Sequence, residues 1–118
     1  MLLIIDSETT RDRDDALAVE STTHGWRLHV AIALVAPAVP SDSPADQAAL
    51  RQGATIYLPA GRTHPLLRGH EDRLSLAPDR SDGSDGPGGR QALHITIELG
   101  PTGEAGDVML GVAPLGRL

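Results

Sequence analysis

Apolar and polar positions alternate in short blocks along this chain, and the period of each block predicts an element. Leu2–Ile5 is a wholly apolar run that stops at Asp6, the pattern of a buried strand. Ser7–Asp15 is polar and charged and reads as a loop. Ala16–Glu20 fits a second short strand, STTHG (residues 21–25) a turn, and Trp26–Leu34 a third strand. In that third strand Trp26, Leu28, Val30 and Ile32 share one face, so the two strands read as a hairpin. A Pro-rich connection over 36–42 leads to a helix start with Ser43 as N-cap, Pro44 at the first helical position and Asp46 in a capping-box-like place. The helix Pro44–Gln52 should end at Gly53, a residue suited to a left-handed C′ position.

Thr55–Leu58 reads as a short strand that stops at Pro59. Residues 60–90 carry little periodicity, and SDGSDGPGG (81–89) has the composition of a flexible loop. Leu93, Ile95, Ile97 and Leu99 alternate with His94, Thr96 and Glu98, the clearest strand in the chain. PTGEAG (101–106) is a turn, and Asp107–Val112 should pair back as a hairpin. The expected class is α+β, a mostly antiparallel sheet with one or few helices.

Composition narrows this picture. The chain has 118 residues, enough for one small domain or a piece of a larger one, and so for a modest core. Phe is absent and Trp26 and Tyr57 are the only large aromatics, so the core must be aliphatic, built from Leu, Ile, Val and Ala. The net charge of -6 argues against a passive RNA-binding module. It argues less against a metal nuclease, whose carboxylates are neutralised by bound cations. Without cysteine there is no disulfide framework, thiol nucleophile or Cys-based zinc site. The N-terminus lacks the basic region of a signal peptide, and no run is long enough to span a bilayer, so a cytoplasmic protein with no membrane partner is expected.

The candidate chemistry lies in Asp6, Asp12, Asp14 and Asp15. Crowded carboxylates raise one another's pKa, and a fold keeps them together when a cation compensates. Magnesium, which favours hard oxygen ligands and retains waters, is the natural candidate, and manganese can substitute. By spacing alone, RDRDD (11–15) is more ordinarily a solvated loop laced with Arg–Asp pairs; Asp6, directly after an apolar run, fits that reading least. Other motifs are weak. The Asp-Gly repeats at 81–89 lack the spacing and closing Glu of an EF-hand, and no two of the five histidines have zinc-ligand spacing. His94, opposite the apolar side of its strand, reads as a surface residue. Tyr57 by position alone reads as a half-buried strand tyrosine.

The ordered blocks around the aspartates carry a resemblance. IDSETTRDRDDALAVE (5–20) resembles the catalytic signature of the ribonuclease II/R (RNB) domain, an Asp, a short spacer and then Asp-x-Asp-Asp-Ala. WRLHVAIA (26–33), SPADQAALRQGATIYLP (43–59), RLSL (73–76) and RQALHITIELGPTGE (90–104) resemble the following blocks in order, so the likeness spans nearly the whole chain. It implies a processive 3′-to-5′ exoribonuclease that degrades single-stranded RNA to nucleoside 5′-monophosphates. Asp6, Asp12, Asp14 and Asp15 would then form the magnesium site, with Asp12 and Asp14 catalytic and Asp14 the most critical. Tyr57 would stack on a base near the 3′ end, an interaction worth about 1–3 kcal/mol.

Two departures qualify the resemblance. Leu34 stands where the family usually has Asp, which touches local packing rather than the metal site. Family catalytic domains also continue beyond the point matching Leu118, with a further aromatic clamp, an acidic residue and an Arg. OB-type RNA-binding domains flank them. Residues 1–118 are therefore expected to be the N-terminal portion of such a catalytic domain or a reduced homologue, incomplete alone and partnered by the remainder of the domain or OB-type domains. The alternative is a non-catalytic remnant that binds metal or a protein partner.

Overall fold

Asp15–Thr22 (β1) and Gly25–Ala33 (β2) form the expected antiparallel hairpin, slightly longer than the apolar pattern marked. The computed structural model describes residues 13–76 and 90–115; the expected strand over 2–5, Asp6, Asp12 and the expected flexible loop over 81–89 lie outside these. Gly25 closes the hairpin at φ 143, and a Cβ there would collide with the Leu99 carbonyl oxygen. Gln91–Leu99 (β5) and Ala105–Pro114 (β6) add to β2, giving a four-stranded antiparallel sheet in the order β1-β2-β5-β6. Both outrun their expected bounds because flanking Gly, Gln and Pro are weak pattern markers yet pair along the ladder.

Pro44–Gln52 forms α1 with the predicted ends. The Ser43 hydroxyl accepts from Asp46 N at 3.2 Å, and Gly53, at φ 78, donates its N–H to Ala49 O at 2.8 Å. The return bond of the capping box is shifted by one residue: Asp46 Oδ2 accepts from Asp42 N at 2.9 Å, not from Ser43. Ile56–Leu58 (β3) pairs with Arg62–His64 (β4) across a 3₁₀ turn at Pro59–Gly61, forming a separate two-stranded sheet. Glu71–Leu74 is a short helix, α2. Among the described residues of the region 60–90, β4 and α2 are thus elements too short for periodicity to reveal.

The two faces of the large sheet are unequal. Cross-strand register places Leu17, Val19, Trp26, Leu28, Val30, Ile32, Leu93, Ile95, Ile97, Val108, Leu110 and Val112 on one side. Among the described residues nothing buries that side, and Val19, Trp26, Val108, Leu110 and Val112 remain exposed. The core forms on the other side, where the residues are small. Ala16, Ala31, Ala33 and Ala92 make a shallow floor, and Leu74 and Leu76 descend onto it, with Ala38, Leu67 and Leu115 at its margin. Among the described residues the core is aliphatic, of Ala, Leu and Val, and the isoleucines of β2 and β5 occupy the opposite face.

Candidate active site

Backbone pairing fixes where the acidic segment meets the sheet. Asp14 O accepts from Ala33 N at 2.8 Å, carrying the β1–β2 ladder one residue beyond the Asp15↔Ile32 pair. Just before it, Arg13 O accepts from Leu76 N at 2.7 Å, tying the segment to the core leucines. Successive residues of an extended strand point to opposite sides. Asp15 therefore lies on the side of Ile32 and Leu17, and Asp14 on the side of Ala16 and Ala33. Both are exposed.

Of the four predicted metal ligands, Asp14 and Asp15 are described, and Asp6 and Asp12 lie outside the described residues. Among the described residues no three His, Asp or Glu side chains group as a metal site. The two donors that are placed, the exposed carboxylates of Asp14 and Asp15, suit magnesium in kind.

Tyr57 sits apart from the aspartates, on the β3–β4 hairpin opposite Thr63. It is 74% exposed, so it is not the half-buried strand residue that its position alone suggested, and its ring is open to a partner. The hairpin is held at its base. Gln52 Nε2 lies 3.0 Å from each of the carbonyl oxygens of Ala54, His64 and Pro65, and Thr55 Oγ1 accepts from Leu66 N at 3.1 Å.

Sequence reasoning missed a polar cluster on the alanine side of the sheet. Register aligns Glu20, Arg27 and Glu98 across three strands, and Arg27 donates to both carboxylates. These hydrogen bonds and His29 hold Glu20 below its ordinary pKa, while Glu98 first and Glu20 second raise Arg27. His29 and His94 stack with centroids 5.2 Å apart, and Nδ1 of the first lies 3.0 Å from Nε2 of the second. His94 is thus partly buried, not the surface residue expected from the pattern. The missing signal was the register: alternating polar positions on three neighbouring strands must converge on one face.

This pair predicts an acid-sensitive fold. Burial first, and His29 second, lower the His94 pKa below its ordinary value. A depressed imidazole contributes stability that is complete above the unfolded pKa of about 6.5 and is lost as pH falls through the folded value. Thermal unfolding should therefore show Tm dropping as pH is lowered below about 6.5, and His94→Gln should flatten that step. A wild-type Tm unchanged between neutral and mildly acidic buffer would contradict the assignment.

The fold is one found in an RNA-degrading enzyme: the chain superposes on Mycoplasma genitalium RNase R, determined in complex with double-stranded RNA, with TM-score 0.83 and 28% identity over 95% of this chain and 19% of that one. The RNB domain family matches residues 1–113, and the chain belongs to that family. Exoribonuclease 2 of Psychromonas ingrahamii is 41% identical over 100 residues, 85% of this chain. The chain spans 14% of that relative's length. Yeast Ssd1, described as a pseudonuclease, shares the fold at TM-score 0.72 and 21% identity over 97% of this chain and 14% of its own.

Proposed function

We propose that this chain supplies the acidic wall of a magnesium-dependent 3′-to-5′ exoribonuclease that hydrolyses single-stranded RNA to nucleoside 5′-monophosphates. The observation that carries the reading is the aspartate set at 6, 12, 14 and 15 within an RNB-family chain. The shared fold alone would not carry it, since a pseudonuclease has the same fold. Asp6, Asp12, Asp14 and Asp15 would hold the metal, directly or through water, with manganese able to replace magnesium. Bound there, the cation supplies Lewis-acid activation of water and neutralises charge developing on the phosphodiester. Asp14 carries the largest share of the chemistry. Tyr57 stacks on a base near the 3′ end and sets the register of the chain being shortened. The remaining wall comes from the rest of an RNB catalytic domain, with OB-type domains guiding RNA in the cytoplasm.

Metal binding tests this directly, with no need for turnover. Calorimetric titration of magnesium or manganese into the chain should show near-stoichiometric binding, and Asp12→Asn should weaken it by at least about tenfold. Saturating metal at about 100 times Kd should stabilise the fold by about 2.7 kcal/mol. Absence of binding would favour the alternative, a non-catalytic remnant that contacts a partner.

A further inference from the structure

In a chain of net charge -6, the two longest stretches without a carboxylate are residues 21–41 and 47–70. Residues 47–70 contain neither Asp nor Glu, although at the chain's density of 16 in 118 residues such a stretch would hold about three. The same stretch contains Arg51, Arg62, Arg68, His64 and His70, and it includes the whole β3–β4 hairpin. Local composition is thus inverted where Tyr57 is displayed.

Register sorts the hairpin's side chains into two faces. Tyr57 pairs with Thr63 on one. Ile56 pairs with His64 and Leu58 with Arg62 on the other. Arg62, His64 and Arg68 are all exposed, and Arg68 donates from Nη2 to His64 Nδ1 at 3.1 Å, which leans its guanidinium over the His64 side of the ribbon. Neither arginine forms an ion pair among the described residues, whereas Arg27 on the large sheet is paired with two carboxylates. The Gln52 and Thr55 bonds at the base fix the ribbon, so its two faces keep a set relation.

We propose that Arg62 and Arg68 form a phosphate-contacting edge for single-stranded RNA, on the side of the β3–β4 hairpin opposite Tyr57. The inference rests on the RNA substrate proposed above but not on the stacking role of Tyr57. An RNA strand crossing a ribbon only two strands wide, with its neighbouring strands about 4.8 Å apart, stays within reach of a long arginine side chain on the far face. Arginine suits the task because its planar fork meets phosphate oxygens in pairs. Unpaired cations in an acidic protein also offer an approaching polyanion its most favourable point of entry.

Electrostatic and stacking contacts differ in their salt response, and this separates them. Each phosphate neutralised on a single strand contributes about -0.7 to the slope of log K against log salt. The experiment is fluorescence anisotropy of a labelled oligoadenylate with the full 118-residue chain, in EDTA to prevent turnover, across a series of sodium chloride concentrations. Arg62→Gln and Arg68→Gln should each make the slope shallower by about 0.7, and the double variant by about 1.4. Tyr57→Ala should weaken binding about tenfold with the slope unchanged.

Arg27→Gln removes a cation that already has partners and should leave the slope at its wild-type value. Arg62→Gln touches no hydrogen bond among the described residues, so it remains informative even if Arg68→Gln loosens the hairpin. Wild-type slopes in both arginine variants overturn the proposal, as does an equal change in Arg27→Gln, which would report net charge alone. A normal affinity for Tyr57→Ala beside shallow arginine slopes removes the stacking role and leaves the phosphate edge standing. No binding of RNA by the wild-type chain overturns the phosphate edge itself.

Discussion

Asp14→Asn, placed in an enzyme that joins this segment to the rest of an RNB catalytic domain, will lower kcat by at least about 100-fold while RNA affinity stays near wild type. The amide keeps the size of the carboxylate and one of its oxygens, so no volume is lost. What it loses is negative charge, the property that holds a divalent cation. Loss of supporting groups around a metal commonly costs about 10–100-fold, and a direct ligand should cost no less. The backbone already fixes the place of this residue, through Asp14 O to Ala33 N at 2.8 Å. Asp15, which leaves the strand on the opposite side beside Ile32, is proposed as a metal ligand alone, so Asp15→Asn should act more on metal affinity than on kcat. Single-turnover hydrolysis of labelled single-stranded RNA at saturating magnesium provides the measurement. Wild-type turnover by Asp14→Asn would remove the catalytic assignment, and a metal affinity untouched in both variants would remove the metal site.

Much of this architecture was readable in the chain because local signals and tertiary structure agreed. Ser43, Pro44 and Gly53 delimit α1 through backbone needs that no distant contact has to supply. The alternation in β2 and β5 marks strands because two-residue periodicity survives whichever face is covered. Which face is covered is a different question, and the period alone does not answer it. The larger apolar residues, Trp26, Leu28, Val30 and Ile32, lie on the side that no described residue buries, and the described core is built on Ala16, Ala31, Ala33 and Ala92. Small residues form the buried floor because the Leu74–Leu76 segment must approach the sheet closely. A contact between segments so far apart in sequence leaves no period to read.

The candidate site shows the same division. The aspartates at 14 and 15 are visible as residues, but their divergence to two sides of a strand is set by the ladder to β2. Tyr57 is visible as a strand tyrosine, yet its 74% exposure follows from a hairpin whose second strand, Arg62–His64, is only three residues long. The cluster of Glu20, Arg27, His29, His94 and Glu98 becomes visible only once three strands are in register.

Leu76→Ala should be the most destabilising single truncation among the described residues, and it should reach the active site. Leu76 is 1% exposed and is the largest fully buried side chain described. Truncating a buried leucine costs about 2–5 kcal/mol, toward the upper end where neighbours cannot collapse into the space. Here those neighbours include the alanines of three strands, which have no side-chain length to move inward. Against a total stability of about 5–15 kcal/mol, that loss should lower Tm by roughly 10 °C or more. Leu110→Ala removes the same atoms from a position 68% exposed and should stay within about 0.5 kcal/mol of wild type. The contrast matters because hydropathy rates the two leucines alike. Leu76 N also donates to Arg13 O at 2.7 Å, next to Asp14, so a cavity at Leu76 loosens the support of the acidic segment. Metal affinity should therefore fall in Leu76→Ala well below its melting temperature, and remain intact in Leu110→Ala. Equal melting temperatures for the two variants would mean that the core lies on the isoleucine side of the sheet after all.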